Sequence, residues 1–216
     1  KAGITVISPL IYLEDLLAPT GSLSRRRPSP QERQDIAFGF KIAQAVGRLD
    51  IGQCVVVRGG VITALEAIEG TDETIRRGGG LGGPGAVVVK VCKPGQDLRF
   101  DLPSVGVGTI ETMQEVEAKV LALDAGKTLV FDRQEMVDRA DKAGIAVWGV
   151  GPEEVAAALD RGVQWLLGLQ EVDGSWRGQQ VDLYNGGTAL VLYTLLKCGL
   201  EPDHPAIRTG FAWLDR

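Results

Sequence analysis

The sequence predicts an α/β fold: a mixed-sheet domain with flanking helices, followed by a short all-α segment. Three observations carry that expectation. Over residues 1–150, short β-branched runs alternate with stretches of helical periodicity. Two of the runs, Gln53 to Arg58 and Val61 to Ile68, are joined by Gly59-Gly60, the mark of a hairpin. Beyond residue 150 the pattern gives way to longer apolar helices.

In chain order, Gly3 to Ser8 reads as a strand and Pro9 to Leu17 as a short helix packed on it. Ala18 to Pro30 reads as a loop carrying Arg25-Arg26-Arg27. Three arginines fit either a solvated turn that feeds local salt bridges or an anion clamp. Ser29-Pro30-Gln31-Glu32 is a helix start: Ser29 can cap, Pro30 suits the first position and Glu32 completes a capping box. Ile36, Phe40, Ala43 and Val46 form its buried stripe, and Gly47 is its expected stop. Gly78 to Gly85, G-G-G-L-G-G-P-G, reads as a connector or flexible lid. It lacks the GK[ST] ending of a phosphate-binding loop and leads into a strand. Ala125-Gly126-Lys127-Thr128 carries half of that motif but has no upstream glycine at the right spacing, and it too leads into a strand.

Ala86 to Cys92 is the next strand, Thr109 to Ala118 a helix, and Lys119 to Asp124 and Thr128 to Phe131 strands. Asp132 to Ala143 is a helix capped by Asp132 and stopped by Gly144, and Ile145 to Val150 is the last strand.

Composition narrows the function classes. Apolar content of 44% and charged content of 24% fit a globular domain. A net charge of -5 argues against a general nucleic-acid binder. The charge is uneven: residues 1–150 carry 18 Lys/Arg against 19 Asp/Glu, and residues 151–216 carry 5 against 9. Cys54, Cys92 and Cys198 lie far apart in apolar runs, which fits a reducing cytosol and speaks against a zinc ribbon. The single histidine, His204, falls outside the first 150 residues, so Ser-His-Asp chemistry is excluded there. No apolar run is long enough to span a bilayer. The chain opens on Lys1 and runs straight into strand-like residues, so it is read as a fragment of a longer protein.

Chemistry is expected where charge crowds a strand end. Between the β-run ending at Cys92 and the helix near Thr109 lies a loop that alternates acid and base: Lys93, Asp97, Arg99, Asp101. Such charge beside a buried strand is costly unless something needs it. Upstream, Glu69-Gly70-Thr71-Asp72 ends a strand and opens a short helix with Arg76 and Arg77. A carboxylate, a hydroxyl and helix-start amides suit an anion or a metal-bound phosphate. Helix capping by Thr71 or Asp72 is the plainer reading.

Five stretches fall in the order seen in one known family: R-L-D-I-G-Q (48–53), A-I-E-G-T-D-E-T-I-R-R (67–77), K-P-G-Q-D-L-R-F-D-L-P-S-V-G (93–106), T-I-E-T-M (109–113) and A-G-K-T-L-V-F-D-R (125–133). Together they resemble the C-terminal domain of the LpxI family, the UDP-2,3-diacylglucosamine pyrophosphatases of lipid A biosynthesis. The resemblance covers residues 1–150. It implies hydrolysis of UDP-2,3-diacylglucosamine to lipid X and UMP with Mg²⁺ or another divalent cation. It also implies a cytoplasmic enzyme that meets its lipid at the inner membrane surface. Asp101 falls at the position expected to be essential; Asp97 falls where relatives vary more. The family carries an N-terminal nucleotide-binding domain ahead of this one, which the reading expects this chain to lack. Leu10 to Leu17 is the expected lipid-facing patch.

On that basis Asp101 and Asp72 are the candidate catalytic residues. Asp101, Glu69 and Asp72 are the candidate metal ligands. Arg99, Lys90, Lys93, Thr71 and Arg76 are candidates for holding the substrate. A salt bridge from Asp101 to Arg99 that merely fixes the loop is the competing reading.

The tail resembles a prenyltransferase and squalene-cyclase helical repeat through Q-E-V-D-G-S-W-R-G (170–178). R-G-V-Q-W-L (161–166) recurs as T-G-F-A-W-L (209–214), a period of 48, with Trp165 and Trp213 expected as core or capping wedges. The acid motif of the cyclases is missing. A truncated repeat that mediates association, with itself or another chain, is the alternative function for the protein as a whole. His204 is expected to be an exposed loop residue.

Overall fold

The structure, a computed structural model, describes residues 7–152, 163–176 and 186–214. The chain divides into two compact units, Lys1–Pro152 and Glu153–Arg216.

The first unit is α/β with a mixed sheet. Strands β1 (Gly21–Ser22), β2 (Cys54–Arg58), β3 (Val61–Leu65), β4 (Val87–Lys90), β6 (Val120–Asp124) and β8 (Ala146–Val150) form one sheet in the order β1-β8-β6-β4-β2-β3. Strands β4, β6 and β8 are parallel; β2 runs antiparallel to β4, β3 to β2 and β1 to β8. A second, two-stranded sheet pairs β5 (Ser104–Val105) with β7 (Leu129–Val130).

The central strands read V-V-V because both of their faces are covered. Side chains alternate across a strand, and the packing follows. Cys54, Val56, Val88, Leu121, Leu123 and Val147 join one core with Ile75, Ile110, Met113 and Met136. Those four come from α3 (Thr71–Gly82), α4 (Val107–Glu115) and α5 (Arg133–Ala143). Val55, Val57 and Val89 face the other way, onto Gly39 of α2 (Pro30–Arg48).

Helix α2 has the expected capping box: Glu32 N–H donates to Ser29 Oγ and Ser29 N–H to Glu32 Oε2. It buries Ile36, Phe40 and Ala43 but leaves Val46 half-buried, and it ends at Arg48, one residue past the expected glycine. The hairpin turns on Gly59 and Gly60, both at positive φ. Asp35 reaches across to accept from both of their N–H groups, at 2.9 and 2.7 Å. Helix α5 stops at Gly144 in the left-handed conformation, as read, but Asp132 makes no side-chain cap and itself sits at φ 46°.

One expectation is corrected. Gly78 to Gly82 is neither lid nor connector but the last turn and a half of α3. A Cβ at Gly78 would lie 2.5 Å from Val56 Cβ, and one at Gly79 would lie 2.3 Å from Val116 Cγ2. Glycine persists at those two positions, against its helix propensity, because α3 lies too close to β2 on one side and to the end of α4 on the other for a side chain. Of the two readings of the arginine run, the source of local salt bridges describes Arg25 and Arg26: Arg25 pairs with Asp141, and Arg26 pairs with Glu32 and donates to Lys119 O.

The expected strand at 3–8 falls mostly outside the described residues. The Leu10 to Leu17 segment forms α1 (Leu10–Leu13) and a 3₁₀ turn (Glu14–Leu16), with no buried residue in either.

In the second unit, residues 163–168 are helical and α6 (Gly186–Lys197) packs on α7 (Pro205–Leu214). The D-G-S-W stretch ties it together. Asp173 Oδ1 accepts from Ser175 N–H and Oγ, and buried Trp176 donates Nε1–H to Leu166 O at 2.6 Å. Trp165, expected as a wedge, is 64% exposed; Trp176 fills that role instead. His204 is half-buried rather than exposed, and its Nδ1 accepts from Ala206 N–H at the start of α7. Residues 153–162, part of the expected first repeat helix, lie outside the described residues.

Candidate functional site

The three parallel strands end together, with Lys90 of β4 opposite Leu123 and Asp124 of β6 opposite Val150 of β8. Open α/β sheets present ligands outside such carboxyl ends. Here that edge also collects the start of β2, the exit of β3 and the first turn of α3.

The loop leaving β4 is held at each step. Val91 N–H donates to Gln53 O and Cys92 N–H to Asp124 Oδ2 at 3.3 Å. Lys93-Pro94-Gly95-Gln96 closes a tight turn, with Gly95 at φ 83° and Gln96 N–H on Lys93 O. The Gln96 carboxamide then bridges the loop: Oε1 accepts from Lys93 N–H at 2.9 Å, and Nε2 donates to Asp101 Oδ2 at 2.6 Å. Phe100 and Asp101 N–H groups fold back onto Asp97 O. The loop ends at Ser104, whose carbonyl takes Lys90 Nζ at 2.8 Å.

Lys90 is only 7% exposed, and Ser104 O is its one hydrogen-bond partner; no carboxylate pairs with it among the described residues. A buried ammonium with a lone carbonyl is under-compensated. Asp124 is buried on the neighbouring strand. Burial raises its pKa, and Lys127 at 3.6 Å and the Cys92 N–H pull it partly back. A cleft of about 480 Å³ opens beside it, lined among others by Ala125, Gly126, Thr20 and Arg133. A second cleft lies on the outer faces of α4 and α5, among Gln114, Gln134, Asp138 and Arg139, away from the strand ends.

The E-G-T-D stretch is organised differently. Glu66, 6% exposed, accepts from Gln53 N–H at 3.0 Å and from Thr71 Oγ at 2.9 Å. Gly52 permits this: a Cβ there would lie 2.1 Å from Glu66 O. Glu69 pairs with Arg77 and also takes Ala67 N–H and Thr74 Oγ. Hydrogen bonds from its own N–H, then Arg77, hold its pKa down. Asp72, in the first turn of α3, is exposed and has no hydrogen-bonding or ionic partner among the described residues.

The matched family model, described as LpxI C-terminal domain, covers residues 19–148. The chain belongs to that family. It is also 36% identical over 164 residues to a Caulobacter vibrioides protein named UDP-2,3-diacylglucosamine pyrophosphatase LpxI. That match takes in 71% of this chain and 58% of the relative, so the chain spans somewhat over half of the curated relative's length.

The family domain therefore contains the whole loop and the α3 start, and the structure sorts the expected residues. Asp101 is exposed, with Oδ2 held by Gln96 and Oδ1 open. It does not pair with Arg99. Arg99 instead grips Asp97 through Nε at 2.8 Å and Nη2 at 2.6 Å, which brings the Asp97 pKa to about 2. Lys93 reaches away from the loop to Asp50 at 2.6 Å, and Asp50 holds a left-handed φ of 55°. Arg76 is spent on Glu73 and Glu115, and Thr71 on Glu66. Among the described residues no three His, Cys, Asp or Glu side chains gather to hold a metal ion. Glu69, Asp72 and Asp101 thus form no preassembled cage. Glu69 is drawn off by Arg77.

Three participants escaped the sequence reading. Asp124 ends an apolar strand, V-L-A-L-D, and a carboxylate in that position was the signal available for it. Gln96 and Lys127 carry no such mark, since their importance comes from the partners the fold brings to them. Lys90 also bears on Cys54 across the β2–β4 pair. Burial first, then Glu66 and Asp72, push that thiol up to about 12 while Lys90 opposes them.

Proposed function

We propose that residues 1–152 form the hydrolytic half of a pyrophosphatase that cleaves UDP-2,3-diacylglucosamine to lipid X and UMP. The observation that carries this is the buried Lys90 ammonium, bonded only to Ser104 O, beneath a loop that presents the open oxygen of Asp101. A cation fixed in a buried place without a counter-charge favours an incoming anion, and a diphosphate is one. The family membership and the name of the similar protein supply the substrate.

Phosphoanhydride cleavage asks for neutralised charge and a positioned water more than for covalent chemistry. Lys90 neutralises charge from the sheet side. Lys127, half exposed beside Asp124, adds a second cation at the same strand ends. Asp101 orients the attacking water through its open oxygen. The first-turn amides of α3 face the same edge and suit a phosphate oxygen.

Mg²⁺ fits this edge on chemical grounds, because Asp101 Oδ1 and the Asp72 carboxylate offer hard oxygens without competing partners among the described residues. The ion needs only one or two carboxylates when substrate phosphates and water complete its shell. Bound there, it would lower the negative charge on the diphosphate. Glu69 leaves the set. Arg99, Lys93 and Arg76 are reassigned to the loop and helix framework by their ion pairs.

Among the described residues no helix is long and apolar enough to cross a membrane. From the family membership we place the enzyme in the cytoplasm, taking its lipid from the inner membrane surface. The helical unit we assign to association rather than catalysis. Trp165, Val172, Tyr193 and Phe211, all largely exposed, support that reading.

The test is incubation of the chain with UDP-2,3-diacylglucosamine and Mg²⁺, with UMP release followed by chromatography. Release that needs Asp101 and is lost with chelator supports the proposal. No UMP from wild type, or equal rates from Asp101→Ala, ends it for this chain.

A further inference from the structure

We propose that Gln96 is the positioning residue for Asp101: its carboxamide fixes the carboxylate that the Proposed function assigns to water activation, and the inference rests on that reading. An exposed aspartate in a loop would ordinarily sample several rotamers, and holding it in one costs conformational entropy. Gln96 supplies the restraint. Its two ends are not interchangeable here. Lys93 N–H can only donate, so the atom 2.9 Å from it is the carboxamide oxygen. The Cys92 thiol approaches that same oxygen at 3.5 Å. The amide nitrogen is then obliged to face Asp101 Oδ2, 2.6 Å away. The anchor reaches the sheet, because Cys92 N–H is itself held by buried Asp124. A line of hydrogen bonds thus runs from the end of β6 through the start of the loop to Asp101, and it leaves Asp101 Oδ1 open.

The residue type is specified by this arrangement. Glutamate at 96 could still accept from Lys93 N–H but would set a second carboxylate against Asp101. Asparagine would fall one methylene short. Leucine would keep bulk and lose both bonds. A role confined to loop stability would let glutamate substitute with little effect on turnover, because the Lys93 contact survives. A positioning role would not.

The experiment uses the full chain and compares wild type with Gln96→Glu, Gln96→Leu and Asp101→Ala. Steady-state kinetics with UDP-2,3-diacylglucosamine should show kcat lowered by about 10- to 100-fold in both Gln96 variants, with KM within about two-fold of wild type. Their melting temperatures should match wild type. In ¹H–¹⁵N spectra of the substrate-free chain, the Gln96 side-chain amide signals should move on Asp101→Ala. This arm reads the contact whether or not the chain turns over. A Gln96→Glu kcat within two-fold of wild type, beside an inactive Asp101→Ala, overturns the inference and leaves the function standing. Amide signals that ignore Asp101→Ala also overturn it. An Asp101→Ala variant as fast as wild type removes Asp101 from the reaction, and the role of Gln96 falls with it.

Discussion

Two stretches of this chain, Glu66 to Arg77 and Lys93 to Ser104, look alike as sequence. Each mixes acid and base just after a β-strand, and each leads toward a helix. The fold uses them in opposite ways. In the first, Glu66 is sealed between Gln53 N–H and Thr71 Oγ, and Glu69 is closed on Arg77. In the second, Arg99 takes neighbouring Asp97, Lys93 takes the distant Asp50, and Asp101 keeps an oxygen open. The same signal, charge at a strand end, therefore closes Glu66 and Glu69 into a framework in one place, with Asp72 left exposed, and leaves Asp101 as an open group in the other. What separates them is whether the fold supplies a partner within reach.

The largest effect should come from Asp101→Ala. Turnover should fall by about 100-fold or more, the scale of losing a group that orients or deprotonates a nucleophile. The melting temperature should hardly change, because the side chain is exposed. A full-speed variant would erase the distinction between the two stretches.

Lys90→Met comes next and sharpens it. The variant should lose about 10-fold or more in kcat/KM, as when one charge-stabilising group is removed. Thermal stability should stay equal or rise, because an apolar isostere replaces an uncompensated buried charge. A sharp fall in melting temperature would show that Lys90 is structural.

Glu69→Gln tests the first stretch. UMP release should stay within about two-fold of wild type and the melting temperature within about 2 °C, since exposed ion pairs contribute little. Loss of activity without loss of fold would return Glu69 to the metal set.

The smallest effect concerns Glu32, far from both stretches. Burial opposes its charge, but the bonds from Arg26 and Ser29 win and lower its pKa in the folded chain. A lowered folded pKa means stability that is present above the unfolded value, about 4.3, and is lost as pH falls through the folded one. Melting curves of wild type and Glu32→Gln should therefore differ at neutral pH and converge as pH falls through the lowered folded value.

Fold class was legible because period and burial agree. V-V-V runs in β2 and β4 need two covered faces, and the capping box at Ser29 and the Gly59-Gly60 turn are local devices that need no tertiary information. Gly78 to Gly82 misled for the converse reason: its helix is dictated by the nearness of Val56 and Val116, which no local window records. At the site, the loop was visible through its crowding of charge, but its pairing was not. Arg99 is two residues from Asp97 and two from Asp101, so spacing alone left the choice open. Lys93 found Asp50, which is 43 positions away. The tryptophans misled similarly: Trp165, expected as a wedge, is exposed, and the D-G-S-W tryptophan, Trp176, fills the core.

The glycine face of α3 has a consequence for how this domain tolerates change. A helix seated directly on strand side chains behaves like a rigid lever. A methyl group wedged under its far end, against Val56 at residue 78 or Val116 at residue 79, would tilt the whole rod and displace the amides of its opening turn, roughly 10 Å and two helical turns away. Selection on the reaction would then be felt at positions that touch neither phosphate nor water.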